Sequence, residues 1–363
     1  MKDIRVLHCI NGVGSGGAEK DIVTWYSRLC KQNVKFDFLI RTNDTFYKKE
    51  INKMGGSVYI TDTFHKHPIK NAIQTFKFIK EHANYYDAVH VHGNTLFYII
   101  PLIAAKRYGI KIRIFHAHNT QAANIISGTL HIINKKIVKK YMNKFIACSE
   151  KSAEFFGVDN PILIKNMIDL NKFYVSTDKD KLRKKLYFDS SDIIFTNVGR
   201  LSKVKNQSFL LDVFRYLRNK IPNAKLILIG VGPMEQQLKD KVKELGLDKN
   251  VIFTGQINNV QEYMNITNVL IFPSLYEGIP LTLLEAQACR VKTICSTNID
   301  METKITNYLF LKKLSDGPKE WANEVIDLLD KDIEEDVEKS FKDAGYDLDD
   351  SVNKLYKVYS GEI

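Results

Sequence analysis

Two carboxylates, Glu277 and Glu285, stand eight positions apart in the stretch Pro273-Ser-Leu-Tyr-Glu277-Gly278-Ile279-Pro280-Leu281-Thr-Leu-Leu-Glu285. The apolar run Val269–Phe272 precedes them and reads as a buried strand. Gly278 lies in the following loop, and Pro280 is a favourable first-turn residue for a helix over Leu281–Ala288. The stretch is therefore a strand, a tight loop and a helix N-terminus. Free backbone N–H groups at such a terminus attract anions. Carboxylates beside an anion site make sense if they serve another part of the same ligand. An ionised carboxylate only accepts hydrogen bonds, and sugar hydroxyls donate them. A ligand with both phosphate and many hydroxyls is a nucleotide sugar.

The matching cations lie upstream. Gly199-Arg200-Leu-Ser-Lys203-Val-Lys205-Asn206 follows the strand-like run Ile193–Val198. It lacks the second glycine and the Lys-Ser/Thr ending of a Walker loop. Arg200 and Lys205 straddle a strand–helix turn, where cations and helix N–H groups can grip a diphosphate. Gly230-Val-Gly232-Pro233 ends another strand, and its small residues let a flat base or a phosphate approach. Near the N-terminus, Gly12-Val-Gly14-Ser-Gly16-Gly17 matches the dinucleotide pattern G-x-G-x-x-G. The second strand, however, ends in Arg41, where an NAD enzyme places an acidic residue for the ribose. The loop then reads equally as a tight turn that brings backbone close to a ligand or to its own helix.

Histidines gather at strand ends: His90 and His92 in one strand, His116 and His118 in another. H-x-H on a strand points both rings to one face. Two such pairs could hold a metal, but no Asp or Glu with ligand-like spacing accompanies them. The expectation is no metal, with His118 donating a hydrogen bond to substrate. The segment Lys135–Lys144 is basic and amphipathic, suited either to anionic lipid headgroups or to solvent.

These residues need a scaffold that places loops side by side. Strand-like and helix-like segments alternate almost throughout, which predicts parallel sheets with crossover helices. The pattern runs from Ile4–Ile10 to Pro161–Asn166, with a helix over Thr95–Tyr108, and restarts at Ile193–Val198 after the polar stretch Ser176–Lys185. The fold class is α/β: two Rossmann-like doubly wound domains facing a cleft. Ligands in such sheets bind beyond the carboxyl ends of the strands.

The 363 residues suit two domains with a core each. The net charge of +11 is uneven: residues 1–165 hold 25 Lys+Arg against 12 Asp+Glu, and residues 166–363 hold 28 against 30. The basic half suggests an anionic partner, either a membrane surface or a phosphorylated substrate. No recognisable nucleic-acid module accompanies it. The five cysteines form no CxxC, which fits reduced thiols in the cytoplasm. No apolar run approaches the roughly twenty residues of a transmembrane helix, and the N-terminus has no signal-peptide profile.

Taken in order, the motifs resemble the large retaining glycosyltransferase family of GT-B fold with an E-x7-E pattern, which builds capsule and exopolysaccharide chains. Gly16-Gly17-Ala-Glu19 is similar to its N-terminal glycine loop, and His116-Ala-His118-Asn-Thr to its mid-domain histidine loop. Ile146-Ala-Cys-Ser149-Glu and Lys165-Asn166-Met-Ile-Asp169 resemble the run into the second domain. Gly199-Arg200 with Lys205, and Pro273 to Gly278, complete the set.

The resemblance implies an acceptor-binding domain over 1–166, a donor-binding domain over 167–345, and a terminal helix over 346–363 packing back on the first domain. It implies that Arg200 and Lys205 hold the donor diphosphate beside Gly199 and Gly232. Glu285 would accept from the ribose, and Glu277 would contact the transferred sugar. Backbone at Gly278, Ile279, Pro280 and Leu281 would assist. Gly16 and Gly17 would let the first loop approach the phosphates, and His118 would touch sugar or phosphate near the reacting centre. The implied activity is retaining, metal-independent transfer from a nucleotide sugar, expected to be UDP-linked, with no cofactor. The acceptor would be a glycan or a polyprenyl-diphosphate-linked oligosaccharide. The basic domain would rest on the inner face of the cell membrane. Two alternatives stand beside it: an NAD(P)-dependent oxidoreductase using Gly12–Gly17, and a non-catalytic nucleotide-sugar-binding protein. The chain departs from the family after Glu285. Where Ala-x-Ala-x-Gly-x-Pro is usual, it has Ala286-Gln-Ala288-Cys-Arg290-Val-Lys292.

Overall fold

The computed structural model describes residues 3–14, 16–118, 125–165, 167–176 and 178–363, at 125–127 the backbone alone. It forms two compact units. Unit 1 comprises Met1–Met167 with Asp347–Ile363, and unit 2 is Ile168–Tyr346.

Unit 1 is built on seven strands: β1 (Ile4–Ile10), β2 (Val34–Ile40), β3 (Val58–Ile60), β4 (Ala88–Gly93), β5 (Ile112–Ala117), β6 (Lys144–Ala147) and β7 (Ile162–Leu163). Their order is β3-β2-β1-β4-β5-β6-β7, and every pairing is parallel. This is the doubly wound arrangement, with the order reversing between β1 and β4. The strands are near-continuous apolar runs because helices cover both faces. On one face Val6, Ile10, Phe36 and Ile114 pack against Trp25 of the helix Gly17–Leu29 and against Leu355 and Val358 of the helix Leu348–Ser360. On the other, Leu7, Val89, Val91 and Phe115 pack against Ile79 and Leu102. Fully burying one such side chain contributes about 1.5–3 kcal/mol. The helix Leu348–Ser360 starts cleanly because the Asp347 carboxylate accepts from the Asp349 and Asp350 N–H groups, at 2.7 and 3.2 Å.

Unit 2 repeats the plan with six strands: β8 (Ile193–Val198), β9 (Ala224–Ile229), β10 (Val251–Gly255), β11 (Val269–Phe272), β12 (Lys292–Ser296) and β13 (Leu309–Lys312). The order is β10-β9-β8-β11-β12-β13, again all parallel. The reversal falls between β8 and β11.

Several sequence readings are corrected. The expected helix over Thr95–Tyr108 starts only at Ile100. Before it, the chain is held in turns by Thr95 Oγ1, which accepts from Phe97 N, and by His131 Nδ1, which accepts from Leu96 N. The basic segment Lys135–Lys144 is not one amphipathic element. A helix ends at Ile137, a 3-10 turn spans Val138–Lys140, and β6 begins at Lys144. The turn is fixed because Val138 and Met142 sink into the core. The polar stretch Ser176–Lys185 contains a helix, Lys179–Lys185, capped by Asp178, which accepts from Lys181 N at 2.9 Å. Pro161–Asn166 shrinks to the two residues of β7, and Asn166 lies outside the described residues.

Candidate active site

In unit 2 the loops after β8 and β11 flank the point where the strand order reverses, the place where doubly wound sheets bind ligands. The loop after β8 carries Gly199, Arg200 and Lys205, and the loop after β11 carries Glu277 and Gly278. Residues 203–205 form a 3-10 turn, which Asn206 ends in the left-handed conformation at φ 54°. Asn206 suits that conformation, and its Nδ2 donates to Pro273 O at 3.1 Å, tying one loop to the other. Leu275 N donates to Val204 O at 2.8 Å and adds a second tie.

Between these ties Lys205 Nζ reaches Glu277 Oε1 at 2.6 Å. The ammonium also lies 4.6 Å from the centre of the Phe272 ring. Both side chains are mostly covered, at 18% and 17% exposed, so the pair is screened less than a surface pair. Gly199 makes room for it, since a Cβ there would stand 3.2 Å from Lys205 Cε. Arg200 is exposed, and its backbone carbonyl accepts from Gln207 Nε2 at 3.2 Å.

Glu277 is fixed from a third direction. Its N–H donates to Asn298 O at 3.1 Å, and Asp300 N donates to Gly278 O at 3.2 Å. A short parallel bridge joins Glu277 to Ile299. Gly278 is exposed, has no positive φ, and a Cβ built on it meets nothing within 4 Å. Among the described residues nothing requires a glycine there, so the residue leaves open space beside Glu277. Pro280 is the N-cap of the helix Leu281–Ala288 rather than its first residue. Ile279 and Leu281 are half-buried against the core, and Glu285 is 3% exposed, well below the loop surface.

Gly232 is also required by packing within the protein. A Cβ there would lie 2.2 Å from Leu201 O, and one on Gly230 would lie 2.1 Å from Gly199 O. These glycines let the loops after β8 and β9 run backbone against backbone. Leu201 N then donates to Val231 O at 3.1 Å, and Met234 N to Leu201 O at 3.1 Å.

At the departure from the family pattern, Arg290 stands at φ 55°. This is the conformation a helix-ending glycine adopts most easily. The turn closes all the same, with Val291 N donating to Ala286 O at 2.8 Å. Lys292 Nζ donates to Leu329 O at 2.8 Å, away from the loop after β11.

In unit 1 the glycine loop is occupied by its own neighbours. A Cβ on Gly14 would lie 2.0 Å from the Asp44 carboxylate, and one on Gly16 2.3 Å from the Glu19 carboxylate. Gly17 opens the helix Gly17–Leu29, and Ser15 lies outside the described residues. Burial raises the pKa of the Glu19 carboxyl above its usual range.

His118 follows β5, and its Nε2 lies 2.8 Å from His92 Nδ1. Burial lowers its pKa to about 4, so it is neutral at pH 7. Asn119 and Thr120, the rest of the histidine motif, lie outside the described residues. His92 Nε2 in turn contacts His8 Nδ1 at 2.8 Å. His8 is absent from the sequence reading. The signal for it was its place in β1, which pairs with β4 so that His8 faces His90.

The family descriptions "Glycosyltransferase Family 4" and "Glycosyl transferases group 1" match residues 15–172 and 178–347. The chain belongs to the GT-B glycosyltransferases. It is 29% identical to the putative glycosyltransferase EpsF of Bacillus subtilis, over 98% of this chain and 96% of that one. It is 26% identical to the capsular polysaccharide biosynthesis glycosyltransferase CapH of Staphylococcus aureus, over 98% of each chain. Identity is 25% to the UDP-Gal:alpha-D-GlcNAc-diphosphoundecaprenol alpha-1,3-galactosyltransferase of Escherichia coli, over 80% of this chain and 79% of that one. Among solved structures, Anabaena Alr3699/HepE in complex with UDP-glucose superposes with a TM-score of 0.76 at 17% identity, over 99% and 100% of the two chains. The fold of this glycosyltransferase is thus that of its relatives, and its best-defined polar site is the Lys205–Glu277 pair.

Proposed function

We propose that this glycosyltransferase moves a hexosyl group from a UDP-sugar to a glycan or polyprenyl-diphosphate-linked acceptor, with retention of anomeric configuration and without a cofactor. The observation that carries the reading is the mostly covered Lys205–Glu277 pair on the loops that flank the strand-order reversal of unit 2, the loops that also carry Arg200 and Gly278. A diphosphate is matched by cations and a sugar by a carboxylate, and here the two stand in contact. Unit 2 takes the donor: Arg200 and Lys205 hold the diphosphate and Glu277 the sugar. Glu285 takes the ribose, with Gly199, Gly232 and the backbone of Gly278 to Leu281 around them. In unit 1, Gly16, Gly17 and His118 take the roles next to the reacting group, and the acceptor binds that unit.

The acceptor oxygen forms its bond to the anomeric carbon on the face from which the diphosphate oxygen leaves. The departing diphosphate takes the acceptor proton. Its growing charge falls on Arg200 and Lys205, which makes electrostatic stabilisation the main catalytic contribution. UDP as the nucleotide of the donor is supported by the names of the galactosyltransferase and of the UDP-glucose complex. A lipid-linked acceptor is supported by the galactosyltransferase's printed substrate.

Contact with an anionic membrane is supported by the basic residues 1–165 together with exposed isoleucines. Ile69 and Ile73 are 76% and 64% exposed on the helix Pro68–His82, and Ile132 and Ile133 are 63% and 52% exposed on the helix Ile125–Ile137. Among the described residues no helix is long and apolar enough to cross a membrane.

The test is a panel of nucleotide sugars with lipid-linked acceptors, read by mass spectrometry, with UDP and NAD(P)H compared for thermal protection. Transfer from a UDP-sugar and protection by UDP are expected. Protection by NADH or NADPH alone would restore the oxidoreductase reading. UDP protection without turnover on any acceptor would favour the binding-protein reading.

A further inference from the structure

Five histidines of unit 1 stand on one face of the sheet: His8 on β1, His90 and His92 on β4, His116 on β5 and His118 just beyond it. The pairings His8 with His90 and His92 with His116 come from strand register, so the backbone itself brings the rings together. The first four are at most 5% exposed, and His118 is half-buried. The helices Gly17–Leu29 and Leu348–Ser360 cover this face. Trp25 stacks on His116 at 5.5 Å, and the Tyr359 hydroxyl lies 2.8 Å from His90 Nδ1.

Hydrogen bonding does not satisfy this cluster. Among the described residues, His8 Nε2, His90 Nε2 and both ring nitrogens of His116 are buried with no partner. A neutral imidazole must carry an N–H on one nitrogen and a lone pair on the other. Orphaned groups of this kind are costly, and a bound ion or water is one standard reason for them. The ligand atoms of His92, His116 and His118 all lie within 4.8 Å of one another.

We infer that His92, His116 and His118 form a binding site for a borderline divalent transition metal, Zn2+ or a close relative. The donors are all imidazole nitrogens, which suit Zn2+, Cu2+, Ni2+ and Fe2+ and not the oxygen-seeking Mg2+, Ca2+ or Mn2+. At His92 the neighbouring rings already set the tautomer, while at His116 an ion would satisfy one of the two partnerless ring nitrogens. If His92 Nε2–H donates to His8 Nδ1, the lone pair of His92 Nδ1 points at His118 Nε2. A carboxylate or another ring beyond a metal-binding imidazole fixes its tautomer in this way. Tetrahedral ligands at about 2.0–2.1 Å from zinc stand about 3.3–3.4 Å apart. The His92–His118 contact of 2.8 Å must therefore open by about half an ångström, which a half-exposed residue at a strand end can allow.

Three protein ligands leave a fourth position for water or an anion. The ion would tie the end of β4 to the end of β5 and leave His118 Nδ1–H as its one remaining donor. The site shares His118 with the transfer reading, and a metal titration without substrate tests it separately from transfer.

The test uses the tag-free full chain, stripped with chelator and titrated with Co2+. One equivalent should produce the visible bands of tetrahedral cobalt, and Zn2+ should abolish them. At a hundredfold excess over Kd, Zn2+ should raise Tm by about 5 °C or more, and Mg2+ should not. His116→Phe, which keeps a ring beside Trp25, and His118→Gln, at the half-exposed edge, should each lose the bands. His131→Gln, outside the set, should keep them. Folded wild type without tetrahedral bands would overturn the site, as would bands that survive His118→Gln. The cluster would then be a hydrogen-bonded imidazole network only.

Discussion

Lys205 and Glu277 meet at 2.6 Å across two loops that are also joined through Asn206, Pro273, Val204 and Leu275. The ammonium and the carboxylate, for which we propose a leaving diphosphate and a sugar as partners, therefore hold each other in place before any ligand arrives. Preorganisation of this kind is what makes a fixed charge effective in a transition state.

Removing either charge should be costly in rate. Lys205→Met, Arg200→Ala and Glu277→Ala are each expected to lower the transfer rate by about two to three orders of magnitude. Initial rates from a UDP-sugar, with circular dichroism to check folding, measure this. Transfer unchanged in Glu277→Ala would remove that residue from the site.

Two glycines should respond in opposite ways. Gly278→Ala meets no protein atom within 4 Å and needs no special φ, so Tm should hold while donor use falls. Gly232→Ala drives a Cβ to 2.2 Å from Leu201 O, so Tm should fall whatever the donor does. A drop of about 2 kcal/mol or more belongs to this class of backbone clash. Thermal melts with and without UDP separate the two.

Arg290 at φ 55° bears a strain that glycine would not. The left-handed conformation costs an L-residue about 1–2 kcal/mol. The added freedom of an unfolded glycine offsets about 0.4–1 kcal/mol of that. Arg290→Gly should raise the stability of unit 2 by about 0.5–1 kcal/mol, read as a shift of the denaturant midpoint without a change in slope. Arg290→Val, β-branched at the same φ, should lower it.

Acid should weaken unit 1. Burial lowers the pKa of His8 to about 3 and of His118 to about 4, and pushes His90, His92 and His116 well below 6.5. The unfolded chain takes up these protons near pH 6.5 and the folded chain does not. Stability is then complete above pH 6.5 and declines as the pH falls below it. At pH 5.5 the loss is about 1.4 kcal/mol for His8 alone. With chelator present, Tm at pH 5.5 should lie clearly below Tm at pH 7.5. Equal values would mean that the imidazoles are solvated.

The exposed isoleucines can be tested on vesicles. Ile69→Asp with Ile132→Asp should reduce co-sedimentation with phosphatidylserine-containing vesicles and leave the melt unchanged, because both side chains lie in solvent. Binding should also fall with salt, as a basic surface requires. Binding unchanged in the double variant would place any membrane contact elsewhere.

Much of the fold was legible because alternating apolar strands and amphipathic helices leave a strong pattern. Val58–Ile60, Ile193–Val198, Ala224–Ile229 and Val269–Phe272 end where their residues suggest. Less legible was β13, Leu309–Lys312, a four-residue edge strand too short to leave a pattern of its own. The basic segment 135–144 misled because charge marks a surface but not the turn that Val138 and Met142 impose from below.

In the candidate site, residue type showed which groups could face a diphosphate and a sugar. It did not show what holds them. Phe272 under Lys205, and Asn298 behind Glu277, come from contacts that no local pattern announces. Gly232 shows a related problem, since a requirement for loop packing leaves no mark in sequence beyond the glycine itself.

The helix Leu348–Ser360 belongs to unit 1, yet the ribosome makes it only after all of unit 2. Unit 2 is one uninterrupted stretch and can fold as it emerges. Unit 1 must wait, its His8, His90 and His116 face lacking Tyr359 and the apolar cover of Leu355 and Val358. The first domain to be synthesised is therefore the last to be finished, and biosynthetic order and folding order run opposite ways along this chain.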